Sequence, residues 1–409
     1  MQILHLLAQL PDKTGSGIYF KNLFDACERA GDRNAGLFAI QPPFPPPTSP
    51  FAYPISFRSE ELPFPIVGMS DQMPYPSRTY ASLTEDELRA WIRAFRARMQ
   101  KAKEEFQPDL VLCHHLWMLA SLARETFPTC PVIGISHGTD LRQCKKNPRL
   151  KETYVQGLNR LDLVFALSQD NKEEIQREFT IPAHKIKVTG GGYESASFYP
   201  PEETLPLSRR KIRLLYAGRL AEPKGIYDLA RAYSLLCKDR RDMCLTIVCD
   251  GNKPAREKLQ ACLQGAEDVE IRDFMPPKEL GETMRNHDLY LLPSLYEALG
   301  LTAIEALASG LFVLAGDHPG LHELVRGPIE NSGVIRFVPL PHRIHVDQLS
   351  PSGHADYVRR LRQELNAMLD AFRGSLSFPP SLFPRIEKYS WTEIFKRQRE
   401  TMRKLLPDK

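Results

Sequence analysis

Short apolar runs alternate with longer segments of helical period along most of the chain. An apolar run of about four to eight residues is typical of a strand buried on both faces, whereas apolar positions three and four residues apart predict a helix. In the first half, each apolar run precedes a helical or polar segment, and the runs lie at Ile3–Leu7, Ala35–Ile40, Asp109–Cys113, Val132–Ser136, Leu163–Leu167 and Ile186–Val188. This alternation predicts a parallel sheet covered by helices on both faces.

The same rhythm starts again after a break in composition at Ser197–Arg210, which we interpret as a linker. The strand-like runs after it are Ile212–Tyr216, Leu245–Cys249, Val269–Ile271, Leu289–Leu292, Phe312–Ala315 and Val334–Phe337. A chain of 409 residues is also too long for one ordinary core. We therefore expect two α/β domains: residues 1–197 completed by the C-terminal helix 388–409, and residues 198–387.

A proline-rich segment interrupts the first half. Gln41–Pro65 contains nine prolines, which exclude a helix or a central strand. Two interpretations stay open for it: a stiff surface loop, or the wall or lid of an acceptor pocket.

The segment Thr84–Phe106 predicts a long helix. Thr84 and Glu87 have the spacing of a capping box, and one apolar stripe follows them. The opposite face is basic, with Arg89, Arg93, Arg96, Lys101 and Lys103. That face is predicted to be either a solvated surface or a peripheral contact with anionic lipid.

Composition narrows the class of protein. Hydrophobic residues make up 42% and charged residues 25%, and the net charge of +4 is too small for a nucleic-acid-binding face. No apolar run approaches the roughly 20 residues of a membrane span, and the first residues lack the basic start of a signal peptide. The eight cysteines are scattered without a C-x-x-C pair, which predicts reduced thiols and no structural zinc. We therefore expect a cytoplasmic protein.

The segment Pro293–Gly310 is the most informative for chemistry. It predicts a strand end, a loop with Glu297 and Gly300, and a helix that contains Glu305. Free N–H groups at a helix N-terminus suit a diphosphate, and glycine lets the backbone approach it. Glu297 is then placed to meet a sugar hydroxyl or a developing positive charge, and Glu305 to accept hydrogen bonds from a ribose diol. The alternative is a capped helix with two incidental glutamates.

Two loops, each following the first strand of a predicted domain, carry further candidate residues for phosphate binding. Arg219 and Lys224, in AGRLAEPKG, are either a diphosphate clamp or two solvent-facing cations. Gly15 and Gly17, in KTGSG, belong either to a phosphate-approach loop or to a plain turn. The segment lacks the full G-x-G-x-x-G, which argues against a nicotinamide-dependent dehydrogenase.

Polar residues also follow other strands. His137 and Asp140, in SHGTD, are placed to hydrogen-bond a sugar, although a histidine at a strand end is more often structural. We assign Asp140 and His115 to the acceptor side; without a third ligand beside His114 and His115, a metal site is not expected. Asp250 and Gly251 form a predicted turn that flanks a nucleoside.

Four motifs in order resemble the retaining GT-B glycosyltransferases of the large family 4, also called glycosyl transferases group 1. They are the glycine loop, a histidine after a first-domain strand, G-R-L-x-x-x-K-G and E-x7-E, and the likeness is clearest over Lys211–Val325. It implies two Rossmann-like domains that face a central cleft, with a last helix near Trp391 that returns to the first domain. The four residues HGTD are also similar to the malate glycosyltransferases of bacillithiol synthesis, a likeness confined to those positions.

The resemblance assigns donor contacts position by position. It implies that Arg219 and Lys224 bind the diphosphate, and that the Leu301 and Thr302 amides contact the distal phosphate. Glu305 would bind the ribose, and Glu297 and His137 would contact the sugar. Gly15 and Gly17 would leave space near the phosphates, and the region of Phe274 would lie near the base. Gly191–Gly192 departs from the asparagine–glycine of many relatives, which leaves that contact open.

The function implied is transfer of a sugar, with retention, from a nucleotide diphosphate sugar to an acceptor hydroxyl. The family favours a uridine diphosphate donor, and the leaving diphosphate would act as the base without a metal ion or other cofactor. The acceptor is open between a small molecule, a glycan and a lipid-linked sugar. The alternatives are a sugar-nucleotide epimerase, a non-catalytic sugar-nucleotide-binding protein, and a transferase that works on a lipid surface.

Overall fold

The chain forms two compact units, which we describe separately. The computed structural model describes residues 1–11, 13–43, 51–71, 73–202, 211–297, 299–345, 348–373 and 377–406. The first unit comprises residues 1–191 together with 391–409, and the second comprises 192–390. Of the predicted linker, residues 203–210 lie outside the described part of the chain, as do residues 44–50 of the proline-rich segment.

The first unit is built around a parallel sheet. Its strands are β1 (Gln2–Leu7), β2 (Arg33–Ile40), β3 (Ala52–Ser56), β4 (Val67–Gly68), β5 (Arg78–Thr79), β6 (Leu110–His114), β7 (Val132–Ile135), β8 (Leu163–Ala166) and β9 (Ile186–Val188). Seven of them pair in the order β3-β2-β1-β6-β7-β8-β9, and β4 pairs with β5. Its helices before the second unit are α1 (Gly15–Arg29), α2 (Glu85–Phe106), α3 (Met118–Thr126), α4 (Thr139–Lys146), α5 (Pro148–Tyr154) and α6 (Gln169–Phe179). All six strands predicted for this half are confirmed.

Part of the proline-rich segment is a strand and not a surface loop, while the alternative of a wall or lid of an acceptor pocket stays a prediction. Residues 52–56 form β3, which pairs with β2 and is the edge strand of the sheet. Pro54 is tolerated because an edge strand needs hydrogen bonds on one side only. Tyr53 and Ile55 are buried and belong to the apolar core of this unit. The prolines therefore excluded a central strand, as expected, but not an edge strand.

Helix α2 confirms the predicted helix and its capping box. The Glu87 amide donates to Thr84 Oγ1 (3.3 Å) and the Thr84 amide donates to Glu87 Oε2 (2.8 Å). Three cations of its basic face lie within ion-pair distance of carboxylates, in the pairs Arg89–Asp86, Arg96–Glu125 and Lys101–Glu105. This charge balance favours a solvated surface, and contact with lipid stays a prediction. No helix in the described part of the chain combines the length and the apolar character that crossing a membrane requires.

The second unit is also built around a parallel sheet, which has six strands, and it has two further short strands that pair with each other. Its strands are β10 (Ile212–Arg219), β11 (Met243–Asp250), β12 (Val269–Asp273), β13 (Leu289–Leu292), β14 (Phe312–Gly316), β15 (Ile335–Val338), β16 (Arg343–His345) and β17 (Gln348–Leu349). The main sheet has the order β12-β11-β10-β13-β14-β15, and β16 pairs with β17. The helices are α7 (Ile226–Leu236), α8 (Lys253–Cys262), α9 (Pro277–Arg285), α10 (Leu301–Ala308), α11 (Pro319–Val325), α12 (Pro328–Asn331), α13 (Pro351–Arg373) and α14 (Phe383–Ile386). All six strands predicted here are confirmed.

The C-terminal helix α15 (Trp391–Arg403) belongs to the first unit, as the resemblance implies. Its buried Gln398 donates to the hydroxyl of Tyr19 (2.7 Å) on α1. Arg399 donates from Nε and Nη2 to the two carboxylate oxygens of Asp32 (2.7 and 2.9 Å). The Asp32 side chain is fully buried, so this bidentate ion pair fixes the last helix to the sheet domain.

We expect Arg399→Ala to destabilise the first unit by about 2–4 kcal/mol, because it leaves the buried Asp32 carboxylate with less of its counter-charge. Arg397→Ala is the matched control, since Arg397 lies on the same helix and is exposed. Urea unfolding of the two variants measures the difference. Equal midpoints for both would show that the Asp32 pair does not anchor the helix.

Candidate active site

Four neighbouring strands of the second unit end in the segments that carry the predicted donor residues. The strand order β12-β11-β10-β13 brings Phe274, Asp250, Arg219 and Glu297 to the carboxyl ends of adjacent strands or to the loops that follow them. The chain order reverses between β10 and β13, and ligands bind open α/β sheets at such a switch point. Three strand spacings separate β12 from β13, or about 14 Å.

Gly225 joins the loop after β10 to the end of β13. Its φ is +64°, and a Cβ built on it would lie 1.9 Å from the Pro293 carbonyl oxygen. In the same contact the Leu295 amide donates to the Pro223 carbonyl oxygen (2.8 Å). Only glycine permits this approach. The two predicted segments are therefore held directly against each other.

This contact brings Lys224 to Glu297. Lys224 Nζ lies 2.6 Å from Glu297 Oε1, and the exposed fractions of the two side chains are 29% and 18%. Burial raises the pKa of Glu297, but the Lys224 ammonium together with Ser294 and His318 outweighs burial and leaves that pKa below its ordinary value. Glu297 is therefore an anion at neutral pH, beside a cation that a phosphate could also bind.

Arg219 lies at the end of β10 with an exposed side chain. Its backbone is fixed, because the buried Tyr216 hydroxyl donates to the Arg219 carbonyl oxygen (3.0 Å). Among the described residues its guanidinium has no hydrogen-bond or ion-pair partner. The group is therefore available to an anion from solution.

Helix α10 begins where the sequence predicts. Gly300 precedes it with φ +65° and ψ 47°, and no side chain caps the helix. Leu301 and Thr302 form the first turn and are half-buried. An uncapped N-terminus directs backbone N–H groups and the positive end of the helix dipole outward, which favours an anion.

Glu305 lies inside the first turns of α10 and is half-buried. No hydrogen-bond or ion-pair partner of its carboxyl group is found among the described residues. Burial raises its pKa from 4.5 to about 8. A half-buried carboxyl group with a raised pKa and without a described partner suits a group that meets a ligand.

Glu305→Gln is expected to be more stable than the parent protein at high pH. With a folded pKa of about 8 against an ordinary 4.5, the folded state holds this proton more tightly than the unfolded chain. The parent protein therefore loses stability as the pH rises from the ordinary value through the folded value, by roughly 1–3 kcal/mol, and glutamine removes that loss. Urea unfolding at pH 5 and pH 9 measures it, with the exposed Glu282→Gln as control. A constant difference at both pH values would contradict the raised pKa.

The predicted nucleoside contacts occupy the other end of the strand series. Asp250 ends β11 beside Arg219, its partner in the sheet register. Gly251 packs closely on Leu220, whose Cδ1 would lie 2.8 Å from an added Cβ. Phe274 follows β12, and its side chain is 72% exposed. Stacking on a flat base is one use for such a ring.

In the first unit, KTGSG forms the start of α1. Gly15 is exposed, and among the described residues other than its chain neighbours no atom lies within 4 Å of an added Cβ. Gly17 is buried, and its amide donates to the side chain of Thr14, the N-cap (3.0 Å). The segment is therefore a capped helix start with open space beside Gly15, and its proximity to a phosphate stays a prediction.

Asp140 is completely buried and acts as a fixed acceptor within the protein. Its carboxylate accepts hydrogen bonds from the Leu116 amide (2.9 Å), the Leu141 amide (3.1 Å), the His137 amide (3.3 Å) and the Ser136 hydroxyl (3.0 Å). These bonds join the loop after β6 to the loop after β7. The geometry favours a positioning role over direct contact with an acceptor.

Three histidines of the first unit, His114, His115 and His137, form one cluster. His115 follows β6 with φ +74° and is 3% exposed, and neither ring nitrogen has a hydrogen-bond partner among the described residues. Burial lowers its pKa to about 4, although Asp140 opposes this. Its ring lies 4.8 Å from that of His137, which is half-buried. Acceptor binding by His115 and sugar binding by His137 stay predictions.

Two residues that position the site were missed by the sequence analysis. The buried Tyr357, on α13, donates from its hydroxyl to the Pro293 carbonyl oxygen (3.0 Å), the group against which Gly225 packs. The buried His318 contacts the Ser294 carbonyl oxygen through Nε2 (2.8 Å). Neither has a local signal, because each lies far along the chain from its partner. Within the described ranges, no group of three or more histidine, cysteine, aspartate or glutamate side chains could hold a metal ion.

Comparison with known proteins identifies the family of the chain. The family model "Glycosyltransferase Family 4" matches residues 57–196, and the model "Glycosyl transferases group 1" matches residues 202–335. An uncharacterized glycosyltransferase of Methanocaldococcus jannaschii is 26% identical over 307 residues, which cover 70% of this chain and 73% of that protein. The mannosylfructose-phosphate synthase of Agrobacterium fabrum is 26% identical over 266 residues, 57% of this chain and only 56% of the relative's length.

Solved structures show the same fold. Sucrose-phosphate synthase from Thermosynechococcus elongatus has a TM-score of 0.71 at 18% identity and covers 99% of each chain. The lipopolysaccharide outer core galactosyltransferase WaaB has a TM-score of 0.61 at 19% identity, covering 99% of this chain and 100% of that one. With both family models matched in order and the GT-B fold in place, the chain belongs to the family 4, or group 1, glycosyltransferases.

Proposed function

We propose that the protein transfers a sugar from a nucleotide diphosphate sugar to an acceptor hydroxyl, with retention of the anomeric configuration. The observation that carries this proposal is the Lys224–Glu297 pair, which lies where β10 and β13 diverge. A cation, an anion and an uncapped helix N-terminus lie on connected loops there. That combination suits a phosphate leaving group next to a sugar that gains positive charge.

The donor is proposed to lie along the carboxyl ends of β12, β11, β10 and β13. The base would stack near the exposed Phe274, and Glu305 would accept hydrogen bonds from the ribose diol. Arg219 and Lys224 would bind the diphosphate together with the amides of Leu301 and Thr302. A uridine base is the family's preference, and it forms part of the proposal.

The chemical step follows from these charges. As the bond to the nucleotide breaks, negative charge grows on the diphosphate, and two cations and a helix end stabilise it. The anionic Glu297 faces the positive charge that grows on the sugar. The acceptor hydroxyl attacks from the side the nucleotide leaves, and the diphosphate takes its proton. In this scheme the protein's own cations balance the diphosphate charge, and we propose that transfer needs no metal ion.

The acceptor stays open. Two relatives are named for different sugar products: a mannosylfructose-phosphate synthase and an α-maltose-1-phosphate synthase. The fold is also shared with a UDP-GlcNAc 2-epimerase from Neisseria meningitidis, with a TM-score of 0.57 at 14% identity. Turnover of a donor without any acceptor would favour such an epimerase.

Nucleotide binding is the first test. A thermal-shift panel of nucleoside diphosphates and their sugars should raise the melting temperature for one base, because a ligand that binds only the folded state stabilises it. The selected donor is then incubated with candidate sugars and sugar phosphates, and NMR gives the anomer of the product. Retention is expected. An inverted anomer would refute the mechanism, and the absence of any shift across the panel would refute donor binding.

A further inference from the structure

Two histidine rings of the first unit meet edge to edge in nearly parallel planes. His114 ends β6 and is completely buried, whereas His137 follows β7 and is half-buried. His114 Nδ1 lies 3.1 Å from His137 Nε2, and the ring planes are within 11° of each other. At that distance the two nitrogens form a hydrogen bond, in which an N–H of one ring donates to the lone pair of the other.

Both rings are uncharged at neutral pH. Burial holds the pKa of His114 and that of His137 well below the ordinary 6.5, and neighbouring histidines lower both further. A neutral imidazole has one N–H and one lone pair. The hydrogen bond between the rings therefore fixes the tautomer of both histidines together.

The surroundings of His114 decide the direction of that hydrogen bond. Its other nitrogen, Nε2, is buried and has no partner among the described residues. The neighbouring rings are those of Tyr19 and Phe20, with centroids 5.9 and 5.3 Å away. A proton on Nε2 would be a buried N–H without an acceptor, which native structures avoid. The proton therefore belongs on Nδ1.

We propose that His114 is a positioning residue that donates its Nδ1–H to His137 Nε2 and so holds His137 with its own proton on Nδ1. No described residue pairs with that second nitrogen of His137. His137 then offers a neutral N–H donor, which suits a hydroxyl or ring oxygen. This inference rests on the proposed function, in which the ligand is a sugar. It adds that the Nδ1–H of His137 contacts the sugar and that His114 orients the His137 ring.

The tautomer is measurable without any ligand. Long-range ¹H–¹⁵N NMR of protein labelled at histidine should show the His137 proton on Nδ1. His114→Leu removes the donor, so His137 should change to a mixture of tautomers. His114→Asn places an amide donor at a similar position and should restore the parent signals. His5→Leu is the control, because His5 is also buried but pairs with Asn34 instead (3.2 Å).

Kinetics give the second measurement. His114→Leu should lower kcat/KM for the donor about tenfold, the effect expected for a mispositioned hydrogen bond, and His114→Asn should recover most of it. Binding of the free nucleoside diphosphate, which lacks the sugar, should not change.

The outcomes separate the inference from the proposed function. A His137 proton on Nε2 in the parent protein overturns the inference. The NMR spectrum of the parent protein gives this result even if His114→Leu does not fold. Loss of the tautomer in His114→Leu with full activity also overturns it. Failure of the parent protein to bind any nucleotide sugar would refute the proposed function while leaving the tautomer result unaffected.

Discussion

Gly225→Ala should destabilise the second unit by about 3 kcal/mol or more and abolish transfer. The added Cβ would lie 1.9 Å from the Pro293 carbonyl oxygen and 2.7 Å from its carbonyl carbon, both backbone atoms. Neither can move without displacing the end of β13, where Tyr357 holds the same carbonyl. The loop would separate from β13 and take Lys224 away from Glu297. Urea unfolding and donor turnover measure the two effects.

Gly265→Ala is the control that separates the effect of the Cβ clash with Pro293 from the effect of backbone strain. Gly265 also has a positive φ, +81°, but no atom lies within 4 Å of an added Cβ. It should therefore cost only the roughly 1–2 kcal/mol of a left-handed conformation and leave turnover intact. Equal losses of stability in both variants would mean that the contact with Pro293 does not determine the loop position.

Lys224→Met should reduce kcat for transfer by about 10²–10³ while the protein stays folded. The variant removes the cation that is proposed to stabilise the leaving diphosphate, and methionine keeps much of the side-chain volume. Steady-state kinetics with the donor selected by the binding panel measure the loss. Lys258→Met is the matched control, because Lys258 pairs with Glu222 of the same loop but has no proposed contact with the donor. Activity unchanged in Lys224→Met would favour a non-catalytic binding protein.

Glu297→Gln separates binding from chemistry at the same ion pair. It releases Lys224 from its 2.6 Å partner, so a nucleoside diphosphate should bind at least as tightly as in the parent protein. Turnover should fall, because the carboxylate that faces the sugar is gone. Calorimetry with the diphosphate and kinetics with the donor give the two values. A parallel loss of both would assign Glu297 to donor binding alone.

The strands and most of the helical framework followed from the sequence. Runs such as Leu289–Leu292 are apolar at every position because both faces of a parallel sheet are covered, and that pattern is visible without a structure. Thr84 with Glu87, and Gly300 before Leu301, are local signals, since caps and left-handed glycines act over three or four residues. The motifs around Lys224 and Glu297 were also visible in the sequence, and their role in donor binding stays a prediction.

The tertiary structure decided which of those residues meet and in what state. Lys224 and Glu297 are 73 positions apart, and only the close contact at Gly225 brings them together. The sequence did not show that backbone amides from two loops donate to the Asp140 carboxylate, and contact of Asp140 with an acceptor stays a prediction. The pKa of Glu305 depends on its burial, and burial is a property of the packed chain. Periodicity and caps are local and can be inferred from sequence, whereas contacts, tautomers and pKa values arise from groups that only folding brings together.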